Sequence, residues 1–133
     1  MKKHILGLLV STTVFAIAVY VAPVRFIEEG VGSGTAGAGS FCSIAFYSTS
    51  QMSRLSYWTC TFNDEPGAKA RFENIKSEQT LVVTESNRIL VKYDNEFGTY
   101  YCSTRLDKDL VRVVCSPSIS MISAFEEQTS LNP

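Results

Sequence analysis

Residues 5–24, close to the N-terminus, form an uninterrupted run of twenty positions without a charged side chain. A helix of that length rises about 30 Å, which is roughly the hydrocarbon thickness of a bilayer. Its apolar residues include Ile5, Leu8, Leu9, Phe15 and Val21. Because Lys2 and Lys3 precede the run, the positive-inside tendency predicts a cytoplasmic N-terminus and export of everything after Val24. Folding outside the membrane is then limited to the remaining residues.

The apolar run has two alternative fates. Ala16-Ile17-Ala18 is a small-x-small pattern behind an apolar core, which is typical of a signal cleavage site. The run nevertheless continues without charge to Val24, which is longer than a signal requires. A cut after Ala22 is also unfavourable, because Pro23 would directly follow it. The sequence therefore favours a retained anchor over residues 1–24. A cleaved signal with a secreted product is the alternative.

Glycine and other small residues dominate the stretch that follows. Residues 30–40 have the sequence GVGSGTAGAGS, a composition typical of flexible coil. The spacing of Gly32, Gly34 and Gly37 matches a dinucleotide-binding turn, but that turn requires a strand before it and a helix after it. The sequence predicts neither element here. We therefore expect a tether over residues 25–40 and no nucleotide cofactor.

The rest of the chain, residues 41–133, is long enough for one domain with a modest core. Apolar side chains alternate in six runs, the pattern of half-buried strands. The runs are marked by Cys42, Ile44 and Phe46; Trp58, Cys60 and Phe62; Leu81 and Val83; Ile89, Val91 and Tyr93; Tyr100, Cys102, Thr104 and Leu106; and Val111, Val113 and Cys115. Turn-forming residues separate the runs, which predicts an antiparallel meander.

Two further segments have helical periodicity. In the first, Asp64 or Glu65 can cap a helix that begins at Pro66, and in the second, Ser116 is the predicted N-cap before Pro117. The apolar positions are Ala68, Phe72 and Ile75 in the first helix and Ile119, Ile122 and Phe125 in the second, whose polar side carries Glu126 and Gln128. The predicted fold is an α+β domain, an antiparallel β-meander with two amphipathic helices and two disulfides behind a transmembrane or signal helix.

Four cysteines in an exported domain predict two disulfides. Cys42 and Cys60 are equidistant from Gln51, which lies in a predicted turn. Cys102 and Cys115 are equidistant from the middle of a second predicted turn. If each turn closes a hairpin, the members of each pair face one another across neighbouring strands. We therefore predict the bonds Cys42–Cys60 and Cys102–Cys115.

A short motif suggests a different architecture. Residues 96–102, EFGTYYC, resemble strand F of immunoglobulin variable domains, where a tyrosine precedes the second core cysteine by two positions. Cys42 and Trp58 then resemble the first cysteine and the core tryptophan of that family. The resemblance implies a two-sheet sandwich, a Cys42–Cys102 disulfide and an immunoglobulin-like binding function. The two helical segments do not belong to that sandwich, so this fold is the alternative.

The exported residues contain no histidine, because the single histidine of the chain is His4. Ser-His and Cys-His nucleophile pairs are thereby excluded, and without a Cys-x-x-Cys no zinc-binding pattern remains. Carboxylates that could serve a glycosidase fall in predicted turns or caps, at Asp64, Glu65, Asp94, Glu96, Asp107 and Asp109. We therefore predict a non-enzymatic protein, without catalytic, cofactor-binding or metal-binding residues.

Charge argues against a nucleic-acid partner. Beyond Val24 the chain has ten basic residues (12 minus Lys2 and Lys3) and 13 acidic ones, a net charge of −3. Binding to a phosphate backbone depends on clustered Lys and Arg, and no such cluster occurs.

Three tyrosines, Tyr47, Tyr57 and Tyr101, fall on the strand face opposite the cysteines. Tyrosine is enriched at protein interfaces. Two amphipathic helices, however, need a sheet surface on which to pack, so we expect both helices to cover this face and to make the tyrosines part of the core.

These patterns predict a membrane-tethered extracytoplasmic domain of interaction or sensory type. Its expected partners are the membrane, through residues 5–24, and an unidentified protein. The alternatives are a secreted binding or inhibitor protein released by signal cleavage, and an immunoglobulin-like binding domain.

Overall fold

The computed structural model describes residues 24–37, 39–50 and 52–129. Its elements in chain order are β1 Ile27–Gly34, β2 Ser40–Ser48, β3 Arg54–Phe62, α1 Glu65–Glu78, β4 Thr80–Thr84, β5 Arg88–Asn95, β6 Gly98–Asp107, β7 Leu110–Ser116 and α2 Ile119–Gln128. No helix within those ranges is long and apolar enough to cross a membrane. The predicted membrane segment lies outside the ranges except for Val24.

The strands form one seven-stranded sheet in the order β1-β2-β3-β7-β6-β5-β4, and all neighbouring pairs are antiparallel. Two meanders, β1-β2-β3 and β4-β5-β6-β7, join where β3 pairs with β7. The helix α1 carries the chain from the centre of the sheet to the β4 edge. The six predicted strands and the antiparallel arrangement are confirmed.

Both predicted disulfides are present, Cys42–Cys60 between β2 and β3 and Cys102–Cys115 between β6 and β7. The members of each pair stand directly opposite in the strand register. Two such bonds indicate an oxidising environment, either extracytoplasmic or secreted. They also contradict the immunoglobulin alternative, which requires a Cys42–Cys102 bond between two separate sheets.

An edge strand, β1, lies within the predicted tether, so the expectation of flexible coil, made for residues 30–40, was wrong over residues 30–34. β1 pairs with β2, and the Glu29 carboxylate accepts a hydrogen bond from the Ser48 hydroxyl at 2.6 Å. An edge strand is held by backbone hydrogen bonds, which glycine forms like any other residue. A composition without core-building side chains therefore did not prevent this strand from forming.

The residues before β1 also contact the domain. The Phe26 ring packs edge-on against the Phe125 ring of α2, with centroids 5.3 Å apart. The Val24 carbonyl accepts a hydrogen bond from the Gln128 side chain. Val24, the last residue of the predicted membrane segment, is therefore in contact with the folded domain.

The helix starts follow from their caps. At α1 the Asp64 carboxylate accepts a hydrogen bond from the Gly67 N–H at 2.8 Å, as predicted for an N-cap. The N-cap of α2 is Ser118, two residues later than predicted, and Ser116 is the last residue of β7. Ser116 pairs with Tyr101 of β6, which keeps its backbone extended and delays the helix.

The two helices lie on opposite faces of the sheet, so the expectation that both cover the tyrosine face was wrong. The helix α1 packs on the cysteine face through Phe72 and Ile75. The tyrosine face is covered by α2, whose Phe125 ring lies 5.1 Å from the Tyr47 ring and 5.4 Å from the Tyr57 ring. A sheet with apolar side chains on both faces needs a cover on each of them.

A buried carboxylate, Glu126, holds α2 to the sheet and is only 3% exposed. Arg88 donates to both of its oxygens, from Nη2 to Oε1 at 2.9 Å and from Nε to Oε2 at 3.2 Å. Ser103 Oγ at 2.8 Å and Arg105 Nε at 3.1 Å also donate to Oε2. The sequence placed Glu126 on the polar side of the helix. That placement was wrong, because the side chain is buried against the sheet.

The charge of Glu126 is set by two opposing effects. Burial acts to raise its pKa, but the hydrogen bond from Arg88, the hydrogen bond from Ser103 and the charges of Arg88 and Arg105 outweigh burial. The pKa of Glu126 therefore lies below its usual value of 4.5. The carboxylate is ionised at neutral pH and pairs with two guanidinium groups.

Glu126→Gln should lower the free energy of unfolding by about 3 kcal/mol, because two guanidinium groups then face a neutral amide. In the wild-type protein the stabilisation by Glu126 is fully present above its unfolded-state pKa and is lost as the pH falls through the lower folded-state pKa. Urea unfolding followed by tryptophan fluorescence at several pH values measures both effects.

The matched control for that experiment is Glu127→Gln, which removes an exposed carboxylate one position further along α2. This substitution should change the stability by less than about 0.5 kcal/mol. Equal losses for Glu126→Gln and Glu127→Gln would contradict a specific role of the buried carboxylate.

Removal of either disulfide should lower the free energy of unfolding by about 3 kcal/mol in the chain-entropy account. The bonds close loops with sequence separations of 18 and 13 residues, so the reduced protein gains unfolded-state entropy. The measurement is urea unfolding of two double variants, Cys42→Ala with Cys60→Ala and Cys102→Ala with Cys115→Ala. An unchanged stability in either variant would argue against this role of the bond.

Candidate functional site: a groove on the cysteine face

The helix α1 crosses the cysteine face obliquely and leaves part of it open. Near its start Ala68 packs against the Cys42–Cys60 pair, and further along Phe72 and Ile75 pack over β5 and β6. The face beside the helix, mainly on β3, β6 and β7, is the floor of a groove of about 1030 Å³. A cavity of this size is at the upper end of the range for small-molecule sites.

Two rows of side chains, each running across neighbouring strands, form the floor. In the first row Trp58 of β3 is opposite Val113 of β7, which is opposite Thr104 of β6. The second row consists of Phe46, Ser56, Cys115 and Cys102. Strands lie about 4.8 Å apart, so three strands span roughly 10 Å across the floor. The Cys102–Cys115 bond lies in the floor itself.

The orientation of Trp58 is fixed within the groove. Its indole Nε1 donates a hydrogen bond to Ser56 Oγ at 3.3 Å, which links the two rows. Trp58 is half-buried and is the single tryptophan of the chain. Its polar N–H is therefore satisfied by the protein, and its fluorescence reports on this site alone.

Two stacked tyrosines, Tyr93 and Tyr100, line the groove at the ends of β5 and β6. Their ring centroids are 4.9 Å apart and their planes differ by 10°. Burial and the neighbouring Tyr100 raise the pKa of Tyr93, against the opposing effect of the Arg71 charge. The raised pKa keeps the Tyr93 hydroxyl protonated and able to donate a hydrogen bond.

Three charged side chains line the groove, Glu29 of β1, Arg54 of β3 and Arg71 of α1. Glu29 accepts the hydrogen bond from Ser48 described above. Neither arginine forms an ion pair with a carboxylate in the part of the chain that the structure describes. Two cations and one anion give the lining a net charge of +1.

Thr104 lines the groove and carries a buried hydroxyl. The residue is 1% exposed, and its Oγ1 has no hydrogen-bond partner among the described residues. Burial of an unpaired hydroxyl costs about 1–3 kcal/mol. A binding group supplied from outside the chain would remove this cost.

Only part of this site could be predicted from the sequence. The alternation of Cys102, Thr104 and Leu106 places Thr104 on the cysteine face. The same alternation places Trp58 and Val113 on faces of half-buried strands, and the structure shows that both line the groove. The sequence did not identify Arg71, because no local pattern specifies where α1 crosses the sheet.

Comparison of the chain with protein-family models, with curated proteins and with solved structures gives no match. The ranges covered by the structure contain no group of three or more His, Cys, Asp or Glu side chains that could hold a metal ion. The groove offers apolar surface, stacked aromatic rings, two cations and a buried hydroxyl. This set of groups suits the binding of a small molecule.

Proposed function

We propose that this chain is a membrane-anchored extracytoplasmic binding domain, of ligand-capturing or sensory type, whose groove takes a small, largely apolar molecule. The observation that carries the proposal is the groove of about 1030 Å³ beside α1, lined by Trp58, Val113 and Ile75. Ligand sites in proteins are typically concave, mostly apolar and supplied with a few polar groups. The proposed activity is binding without catalysis.

The disulfides support a binding role because they stiffen the floor. Cys42–Cys60 joins β2 to β3 and Cys102–Cys115 joins β6 to β7, so covalent bonds link the strands on both sides of the β3–β7 pair. A preformed site loses less conformational freedom on binding than one that must order itself.

The start of the domain supports a position close to the bilayer. Val24 ends the predicted membrane segment, Phe26 packs on α2, and Glu29 lines the groove. Only four residues, 25–28, therefore separate the end of the predicted anchor from the first groove-lining residue. In the proposed arrangement the groove takes its ligand next to the membrane.

Contact quenching of Trp58 tests the groove directly. We expect the neutral probe 10-bromo-1-decanol to quench Trp58 in the full chain reconstituted in phosphatidylcholine vesicles, because bromine quenches at short range. Phe46→Ala, which removes a groove-lining ring, should weaken the probe's apparent affinity about threefold to tenfold through lost apolar contact.

The control is Phe41→Ala, which removes an equally large ring from the opposite face of the same strand. Phe46 is 46% exposed and Phe41 is 61% exposed, so both changes are on accessible side chains. Failure of the probe to quench Trp58, or an equal loss of affinity in both variants, would refute the groove as the binding site.

Membrane retention has its own test. Fractionation of cells that express the full chain should recover it in the membrane, with an intact N-terminus by sequencing of the isolated protein. The alternative, a secreted binding protein, is favoured by the Ala16-Ile17-Ala18 pattern. A mature N-terminus at Val19 would contradict the anchor and support the secreted form.

A further inference from the structure

We infer that the ligand is an anionic amphiphile, held with its head group between Arg71 and Thr104 and with its apolar tail over Trp58. This inference rests on the proposed function and specifies the ligand class. Three independent features of the groove support it: the charge of the lining, the unpaired hydroxyl of Thr104 and the arrangement of the apolar surface.

The charge of the groove is opposite to that of the exported chain. Residues after Val24 carry a net charge of −3, whereas the groove lining carries +1. Arg71 projects from α1 without a carboxylate partner among the residues described, and Arg54 lines the same groove without one. Arginine binds carboxylate and phosphate groups through charge-assisted hydrogen bonds. The groove therefore favours an anion.

The buried hydroxyl marks the place of the head group. Thr104 lines the groove and its buried Oγ1 is unpaired, although every other buried side-chain polar atom of the described residues has a partner. Thr104 lies on β6, on the side of the floor that α1 overhangs, and Arg71 lies on that helix. A carboxylate there accepts hydrogen bonds from both groups, which satisfies the hydroxyl and pairs the cation.

The apolar surface extends away from this point across the sheet. From Thr104 the floor continues through Val113 to Trp58, and Phe46 forms the far side on β2. Three strand spacings from β6 to β2 correspond to roughly 14 Å, enough for an extended hydrocarbon tail. A molecule with one anionic end and one apolar tail matches this order of groups.

The test compares three probes that differ in the head group alone: 10-bromodecanoate, 10-bromo-1-decanol and 10-bromodecyltrimethylammonium. Each is titrated as a monomer against the full chain in phosphatidylcholine vesicles, and quenching of Trp58 reports binding. We expect the carboxylate to bind at least about tenfold more tightly than the trimethylammonium probe. Its apparent affinity should fall with added salt, as expected for an exposed charge contact.

Two substitutions locate the head group. Arg71→Gln should weaken 10-bromodecanoate about threefold to tenfold and leave the alcohol unchanged, and Arg71→Lys should restore part of the loss. The matched control is Lys69→Gln, which removes a positive charge from the exposed side of α1 and should not affect binding.

Thr104→Val should also weaken the binding of 10-bromodecanoate about threefold to tenfold. The same substitution should raise the unfolding temperature of the free protein, because the unpaired hydroxyl is gone.

The outcomes separate this inference from the proposed function. Equal affinity for all three probes would overturn the anionic ligand and leave the groove as a binding site. Absence of quenching by every probe would refute both. In a third outcome, 10-bromodecanoate does not bind, the Trp58 fluorescence responds to phosphatidylglycerol in the vesicles, and Arg71→Gln does not change that response. The chain then recognises an anionic membrane surface instead, and the inference is wrong.

Discussion

The pairing of β3 with β7 is the interaction on which the rest of the structure depends. Each strand belongs to a different meander, and their ladder runs from Ser56 opposite Cys115 to Thr61 opposite Leu110. Without it the chain would form two separate sheets of three and four strands, and β3 and β7 would each be an unpaired edge. With it, each disulfide joins one strand of the β3–β7 pair to its outer neighbour in a continuous sheet.

The same ladder determines where the groove can form. It brings Trp58 of the first meander beside Val113 of the second, and Val113 is itself opposite Thr104. The chain must then reach the β4 edge through α1, which takes an oblique path over the cysteine face and covers only part of it. The other face needs no such connection, so α2 returns over it and is fixed by the buried charge of Glu126. One face is thus closed, and the other keeps an accessible apolar surface.

The sequence predicted what local patterns determine. Alternation identified the strands, and the symmetric spacing of Cys42 and Cys60 about a turn determined their pairing, because a hairpin places equidistant residues opposite one another. The edge strand β1 was missed because backbone hydrogen bonding depends little on composition. The burial of Glu126 was missed because its partners, Arg88 and Arg105, are distant in sequence and reach it from two strands. The groove depends on the path of α1, which no local pattern determines.

Hydrogen–deuterium exchange of the full chain in phosphatidylcholine vesicles, with and without decanoate, tests the central claim most directly. The claim is that the cysteine face beside α1 is the binding surface. If a ligand packs against this helix and beneath Arg71, exchange should slow in peptides from residues 65–78 and stay unchanged in peptides from residues 119–128. Slower exchange in α2 with none in α1 would place binding on the opposite face and contradict the account.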